Sequence, residues 1–263
     1  MLLDNVSDLI ERTDECARPI STAGPAAASA TQLELPADEV HVWLANLDAF
    51  GPESLRSLLA EDELARADRF HFDKDRNHFI VARGLLRRLL TSYLGSNAAE
   101  LKFEYGRMGK PSLTAEQSDW LTFNLAHSNG FALYAVTRQR AVGVDLEFMR
   151  DDVAEEQLAE RFFSPGEARR LRSLPVELRR QGFFNCWTRK EAYIKARGEG
   201  LSMPLSEFEV SFAASEAAAL LGNQVEPEEV KRWSMKAIDV PSGYVGAVVA
   251  AGQNWRLKEF VLS

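Results

Sequence analysis

An α+β fold in two lobes, each with helices packed on a small antiparallel sheet, is what this sequence predicts, and three observations predict it. Short runs of strand period recur along residues 40–262. Each half holds a long helical stretch stopped by a glycine, 75–94 by Gly95 and 183–201 by Gly198. Each half also sets its helices against a few strands, without a strict sequence repeat, so two pseudo-symmetric lobes of similar size fit. The boundaries fall at 1–36 for an extension and linker, 37–138 for an N-terminal lobe and 139–263 for a C-terminal lobe. The cleft between the lobes is the default place for a ligand.

Taken in order, residues 1–17 suit a short helix and 21–31, STAGPAAASAT, a linker. Residues 40–47 alternate as a first strand. Residues 52–67 read as one helix with Leu55, Leu58, Leu59, Leu64 and Ala65 along a stripe. In 75–94, Phe79, Ile80, Leu85, Leu86, Leu89, Leu90 and Tyr93 line one side. A strand at 101–105 precedes the loop Gly106-Arg107-Met108-Gly109-Lys110-Pro111, and strands at 121–125 and 131–138 flank a turn over 126–130. Residues 141–148 form the next strand. Helices follow at 155–163 and 165–173, the latter capped by Ser164 with Pro165 first and Glu167 third. The last stretch offers strands at 208–212, 233–239, 244–251 and 255–262, with a short helix over 215–221.

The chain has 263 residues, 46% hydrophobic and 27% charged, with a net charge of -8. That charge opposes bulk attraction to nucleic acid or to an anionic membrane, although the basic run from Arg66 to Arg88 can still seat an anionic ligand. No zinc-finger, aromatic-platform or recognition-helix signature accompanies those arginines. Cys16 and Cys186 share no metal-ligand spacing with each other or with the four histidines, which suits a reducing cytosol. The N-terminus is acidic without a secretory pattern, and no stretch approaches the roughly 18 apolar residues of a membrane span. The expectation is a cytoplasmic monomer with no membrane and no nucleic-acid partner.

Asp145 and Glu147 sit two apart on a strand and therefore on one face. Glu191 and Lys195 sit four apart on a helix, which is equally the spacing of a surface ion pair. Three carboxylates without neighbouring Cys or His are hard oxygen ligands, suited to magnesium more than zinc. Singly, the D-x-E pair, the Gly-Lys-Pro turn, the turn histidine His127 and the arginines of 66–88 each have an ordinary structural reading as well.

Their order is more telling. R-x-x-R-F from Arg66, G-K-P from Gly109, N-x-x-H-S from Asn124, G-V-D-x-E from Gly143, and W-x-x-K-E-A-x-x-K from Trp187 with G-x-G-L from Gly198 together resemble the Sfp-type 4'-phosphopantetheinyl transferases over about residues 35–251. That resemblance implies an enzyme that moves the phosphopantetheine arm of coenzyme A to a serine of an apo acyl, peptidyl or aryl carrier protein, releasing adenosine 3',5'-bisphosphate. It implies magnesium, with manganese as a substitute, on Asp145, Glu147 and Glu191. It implies either Glu191 or a magnesium-bound water as general base, and Lys195 as the lysine steadying the pyrophosphate. By the same resemblance Arg66, Arg83, Gly109, Lys110, Asn124, His127, Lys190 and Lys195 attend coenzyme A. A magnesium-dependent hydrolase of coenzyme A or nucleotides is the alternative. Two departures stand out: Ala126 precedes the histidine where serine is frequent, and Glu63 stands where some members place a lysine. Phe162 and Phe163 are candidates to meet the carrier, and Trp187 to anchor its helix.

Overall fold

The computed structural model describes residues 32–198 and 203–263. The expected helix over 1–17, the linker over 21–31, Cys16, Gly200 and Leu201 lie outside the described residues. The first lobe runs β1 (Glu39–Asn46), α1 (Pro52–Arg56), α2 (Glu61–Ala67), α3 (Asp73–Leu94), β2 (Phe103–Tyr105), β3 (Pro111–Leu113), β4 (Leu121–Ser128) and β5 (Phe131–Arg138). The second runs β6 (Val142–Phe148), α4 (Glu155–Phe162), α5 (Pro165–Ser173), α6 (Val176–Arg197), β7 (Phe208–Val210), β8 (Leu220–Asn223), α7 (Glu229–Arg232), β9 (Trp233–Ile238) and β10 (Tyr244–Ala251). A last strand, β11 (Arg256–Leu262), follows.

The pseudo-symmetry is plain in the strand orders. The first sheet reads β11-β1-β5-β4 and the second β6-β10-β9, so β1, β5 and β4 answer β6, β10 and β9. β11 lies parallel to β1, with Glu39 opposite Arg256, and all other pairings are antiparallel. The lobe boundary expected from sequence is therefore corrected: residues 256–262 complete the first lobe's sheet, not the second's.

Strand alternation distributes the core. On β5, Ala132, Tyr134 and Val136 turn towards Val81, Leu85 and Leu89 of α3. Leu133 and Ala135 turn the other way, to meet Val142, Val144 and Leu146 of β6 and Val248 and Ala250 of β10. Val245, Ala247 and Val249 of β10 face Phe184, Tyr193 and Ile194 of α6. The order is thus helix, sheet, sheet, helix. Each fully buried aliphatic side chain in these layers contributes about 1.5–3 kcal/mol. Gly95 at φ 67° and Gly198 at φ 74° end α3 and α6 in left-handed conformation, as their positions predict.

Three local expectations change. The single helix over 52–67 is two, because Leu58 and Leu59 turn their N–H groups back to the carbonyls of Leu55 and Arg56, and Ala60 is extended. Residues 215–221 are not a helix. Ser211 Oγ takes the Ala217 carbonyl and the Ala219 N–H that a helix would use, and β8 pairs with β7 instead. β4 runs on to Ser128, so the turn shrinks to Asn129 at φ 41° and Gly130 at φ 86°, the pair of positive values a two-residue hairpin requires.

Candidate active site

β6 and α6 meet more closely than any side chain at Gly143 would permit. A Cβ there would stand 2.1 Å from the Ala192 carbonyl oxygen and 2.3 Å from the Ala196 nitrogen. Only glycine allows this contact. Because Gly143, Asp145 and Glu147 share one face of β6, the close approach aims the two carboxylates at the last turns of α6. There Glu191 and Lys195 project side by side.

Lys195 Nζ lies 2.5 Å from Asp145 Oδ1. Asp145 is buried, at 4% exposure, and Glu191 at 7%. Asp145 Oδ2 and Glu191 Oε1 are buried without any hydrogen-bond partner. Ser128 Oγ donates to Glu147 Oε2 at 3.2 Å and accepts the Phe148 N–H at 3.1 Å, which ties the end of β4 to β6. The helix pair read from sequence alone as a surface ion pair is not one: Lys195 answers Asp145 across elements.

Crowded carboxylates out of water hold their protons. Burial, then the charge of Asp145, pushes Glu147 up to about 8 and Glu191 up to about 7. Burial raises Asp145 too, against the pull of Lys195. Burial works against the Lys195 charge, but Asp145 and Glu191 outweigh it and hold its pKa above the usual lysine value. His127, at the end of β4, has an exposed side chain. Desolvation of its ring, then the charges of Lys195, His78 and Arg66, depress its pKa, so it is neutral at pH 7.

The remaining expected residues divide. Arg66 is exposed, stacks over Phe79 at 5.4 Å and makes no ion pair among the described residues, so it can take an anion. Gly109, at φ 79°, turns the β2–β3 loop. Asn124 is structural, its Oδ1 accepting the Val144 N–H at 2.8 Å.

Three expectations are corrected. Lys190 is wholly buried, 2.7 Å from the Glu167 carboxylate, and donates to the carbonyls of Leu205 and Phe208, so its ammonium is answered within the protein. Arg83 is buried with Glu63 at 2.6 Å and donates to Tyr105 Oη at 2.7 Å. Lys110 Nζ donates to main-chain carbonyls, those of Val142 and Lys195. The sequence reading also missed what Glu63 does. Arg87 reaches its other oxygen at 2.7 Å, making a buried Arg–Glu–Arg triad. Two arginines four apart amid apolar neighbours on α3 were the available signal.

Trp187, expected as a buried anchor of its helix against the strand, is only partly buried and packs instead against Phe162, Phe163 and Phe183. Phe163 belongs to that core and is 3% exposed, whereas Phe162 is only partly buried. A groove of about 670 Å³ lined by residues 32–37, Tyr93, Trp120 and Arg138 shares none of the side chains around Asp145, so a hollow alone does not lead to the chemistry. Among the described residues, no three His, Cys, Asp or Glu side chains form a ready-made metal cluster.

A lysine and three carboxylates gathered where two α+β lobes meet are the equipment of a transferase that handles phosphate esters. Residues 141–249 match the model of the 4'-phosphopantetheinyl transferase superfamily, and residues 49–139 that of the 4'-phosphopantetheinyl transferase N-terminal region. The chain is similar to the 4'-phosphopantetheinyl transferase HetI of a Nostoc species, 43% identical over 231 residues, covering 86% of this chain and 93% of that protein. It is also similar to the 4'-phosphopantetheinyl transferase psf-1 of Bacillus pumilus, at 32% identity over 70% of this chain and 77% of that one. The 4'-phosphopantetheinyl transferase Sfp of Bacillus subtilis is 26% identical over 76% and 85% of the two chains. Among solved structures, holo-(acyl-carrier-protein) synthase of Thermotoga maritima aligns at 20% identity and a TM-score of 0.34, covering 43% of this chain and 63% of that one. The chain belongs to the 4'-phosphopantetheinyl transferase superfamily.

Proposed function

We propose that Asp145, Glu147, Glu191 and Lys195 form the catalytic centre of this transferase. The enzyme transfers the 4'-phosphopantetheine arm of coenzyme A to a serine of a carrier protein; the relatives give no support to hydrolysis of coenzyme A or nucleotides. The observation that carries the site assignment is the pair of buried oxygens without partners, Asp145 Oδ2 and Glu191 Oε1. A buried polar atom left unanswered costs about 1–3 kcal/mol, and such costs persist where a ligand or a reaction uses them.

The carrier's serine oxygen attacks the phosphorus next to pantetheine. A new P–O bond forms, the bond to the bridging oxygen breaks, and adenosine 3',5'-bisphosphate leaves with that electron pair. Glu191, one turn before Lys195 on α6, takes the serine proton, because a free serine hydroxyl is a poor nucleophile until a positioned carboxylate accepts its proton. Lys195, held protonated by Asp145 and Glu191, stabilises the charge growing on the departing phosphate oxygens and can return a proton to them. His127 stays neutral and donates one hydrogen bond to a phosphate, while Arg66 supplies a full charge from the other lobe.

Magnesium suits this set. The donors are hard oxygens, two of them unpartnered among the described residues, brought together on β6 and α6. Asp145, Glu147 and Glu191 would hold it, and it would neutralise the pyrophosphate. Among the described residues no helix is long and apolar enough to cross a membrane. A cytoplasmic monomer acting on acyl, peptidyl or aryl carriers, with no nucleic-acid partner, completes the reading. Phe162, partly buried on the C-terminal turn of α4, is the side chain we assign to the carrier's approach.

The test is incubation with an apo carrier protein, coenzyme A and magnesium, followed by intact mass. The carrier gains one phosphopantetheine. An unmodified carrier beside consumed coenzyme A would restore the hydrolase.

A further inference from the structure

We infer that Lys110 is a positioning residue for the catalytic helix, acting through main-chain carbonyls without touching coenzyme A. Its Nζ donates to the Val142 oxygen at 2.9 Å and to the Lys195 oxygen at 2.6 Å. Lys195 lies in the last turn of α6, where carbonyls have no partner within the helix and a cation is favoured. Val142 is the first residue of β6, the strand that carries Asp145 and Glu147. The two carbonyls flank the place where Gly143 presses on Ala192 and Ala196. One ammonium from the first lobe thus bridges the strand and the helix of the second lobe at their closest approach.

The loop delivering Lys110 is itself held. The Gly106 N–H donates to the Lys110 carbonyl at 3.0 Å, and the Gly109 N–H to the Gly106 carbonyl at 2.8 Å. Burial, with the Lys195 charge adding to it, lowers the Lys110 pKa to about 8. An ammonium kept in place against that desolvation is bound by its carbonyls, in contrast to the exposed and unpaired Arg66. Losing the bridge frees the last turn of α6, and with it the spacing of Lys195 and Glu191 from Asp145.

The inference rests on the assignment of those three groups, and the experiment separates the two. Lys110→Met keeps the apolar stem and removes both hydrogen bonds. In the full chain, with apo carrier, coenzyme A and magnesium, kcat is expected to fall roughly tenfold to a hundredfold, the cost of a displacement near 1 Å, while KM for coenzyme A moves less than about threefold. Lys110→Arg, which still donates to both carbonyls, is expected to recover most of the loss. The same kcat ratio is expected with dephospho-coenzyme A, which lacks the 3'-phosphate. A KM for coenzyme A raised more than about tenfold at unchanged kcat would make Lys110 a substrate ligand, and unchanged constants would make it a bystander; either overturns the inference. If Lys110→Met does not fold, Lys110→Gln carries the same expectations. Glu191→Gln run alongside shows which idea fails: if it keeps full turnover the site assignment is wrong, and if only Lys110→Met is normal the bridge is wrong.

Discussion

The two lobes bury charge in the same way and then part company. In the first, Glu63 of α2 takes Arg83 and Arg87 from α3, and its Oε2 also accepts the Ala60 N–H. In the second, Glu167 of α5 takes Lys190 from α6, while its oxygens also accept the N–H groups of Ser164 and Val210. In both, a short helix lends a glutamate to the buried cations of a long one, and every oxygen is answered. One residue beyond Lys190 the pattern stops: among the described residues, Glu191 Oε1 and Asp145 Oδ2 have no hydrogen-bond partner. The answered charges hold helices to helices, and the unanswered ones are those we assign to the reaction. Lys190 and Lys195 share a helix, a residue type and carboxylate neighbours, yet Lys190 is wholly buried while Lys195 is partly exposed beside oxygens that remain open.

The sharpest way to break this contrast is at the open oxygens. Glu191→Gln and Asp145→Asn should each lower transfer by about a thousandfold or more, as removal of groups acting on transition-state charge does, with circular dichroism unchanged. Near-normal turnover in Glu191→Gln would return it to structure. Lys195→Ala should lower kcat more than it raises the dissociation constant for coenzyme A; an unchanged rate would leave Lys195 a partner of Asp145 only.

Glu63→Ala and Glu167→Ala should do the reverse. Each strands buried cations and should cost about 3–5 kcal/mol in denaturant unfolding, with transfer by the molecules still folded within a few-fold of normal. A stable Glu63→Ala protein with lost transfer would mean that the first lobe's triad belongs to the chemistry after all.

The smallest effect is in pH. Glu147 and Glu191 are raised in the folded protein from 4.5 to about 8 and about 7. The unfolded chain releases those protons first, so the stability they contribute is whole below pH 4.5 and lost as pH rises through the folded values. Without metal, the melting temperature should drop between about pH 5 and about pH 8.5. Glu147→Gln should flatten that drop, and magnesium should restore most at the alkaline end, where it no longer competes with protons. A melting temperature flat across the range would show the carboxylates ionised at no cost.

Much of this was legible in the chain. Gly95, Gly198 and the Ser164 cap mark helix ends locally, and the spacing of Asp145, Glu147, Glu191 and Lys195 is fixed by strand and helix period. What escaped depends on partners distant in sequence. Nothing near Lys190 announces Glu167, nor does anything near Lys110 announce the carbonyl of Lys195. Ser215 to Leu221 has helical composition, but Ser211 binds its backbone first, at the Ala217 carbonyl and the Ala219 N–H. The 52–67 stripe carries no sign that the chain must bend at Leu58 to bring Glu63 under Arg83.

The strand β11 carries one more consequence. Its place beside β1 means that the first lobe's sheet is finished by residues translated after the whole second lobe. On the ribosome, the edge of β1 waits bare, with Val40, Val42 and Leu44 among its apolar side chains, until the chain from Arg256 onward emerges. A stop codon just before Arg256 would leave both lobes present but the first one unsealed, an open edge ready to recruit strands from other chains.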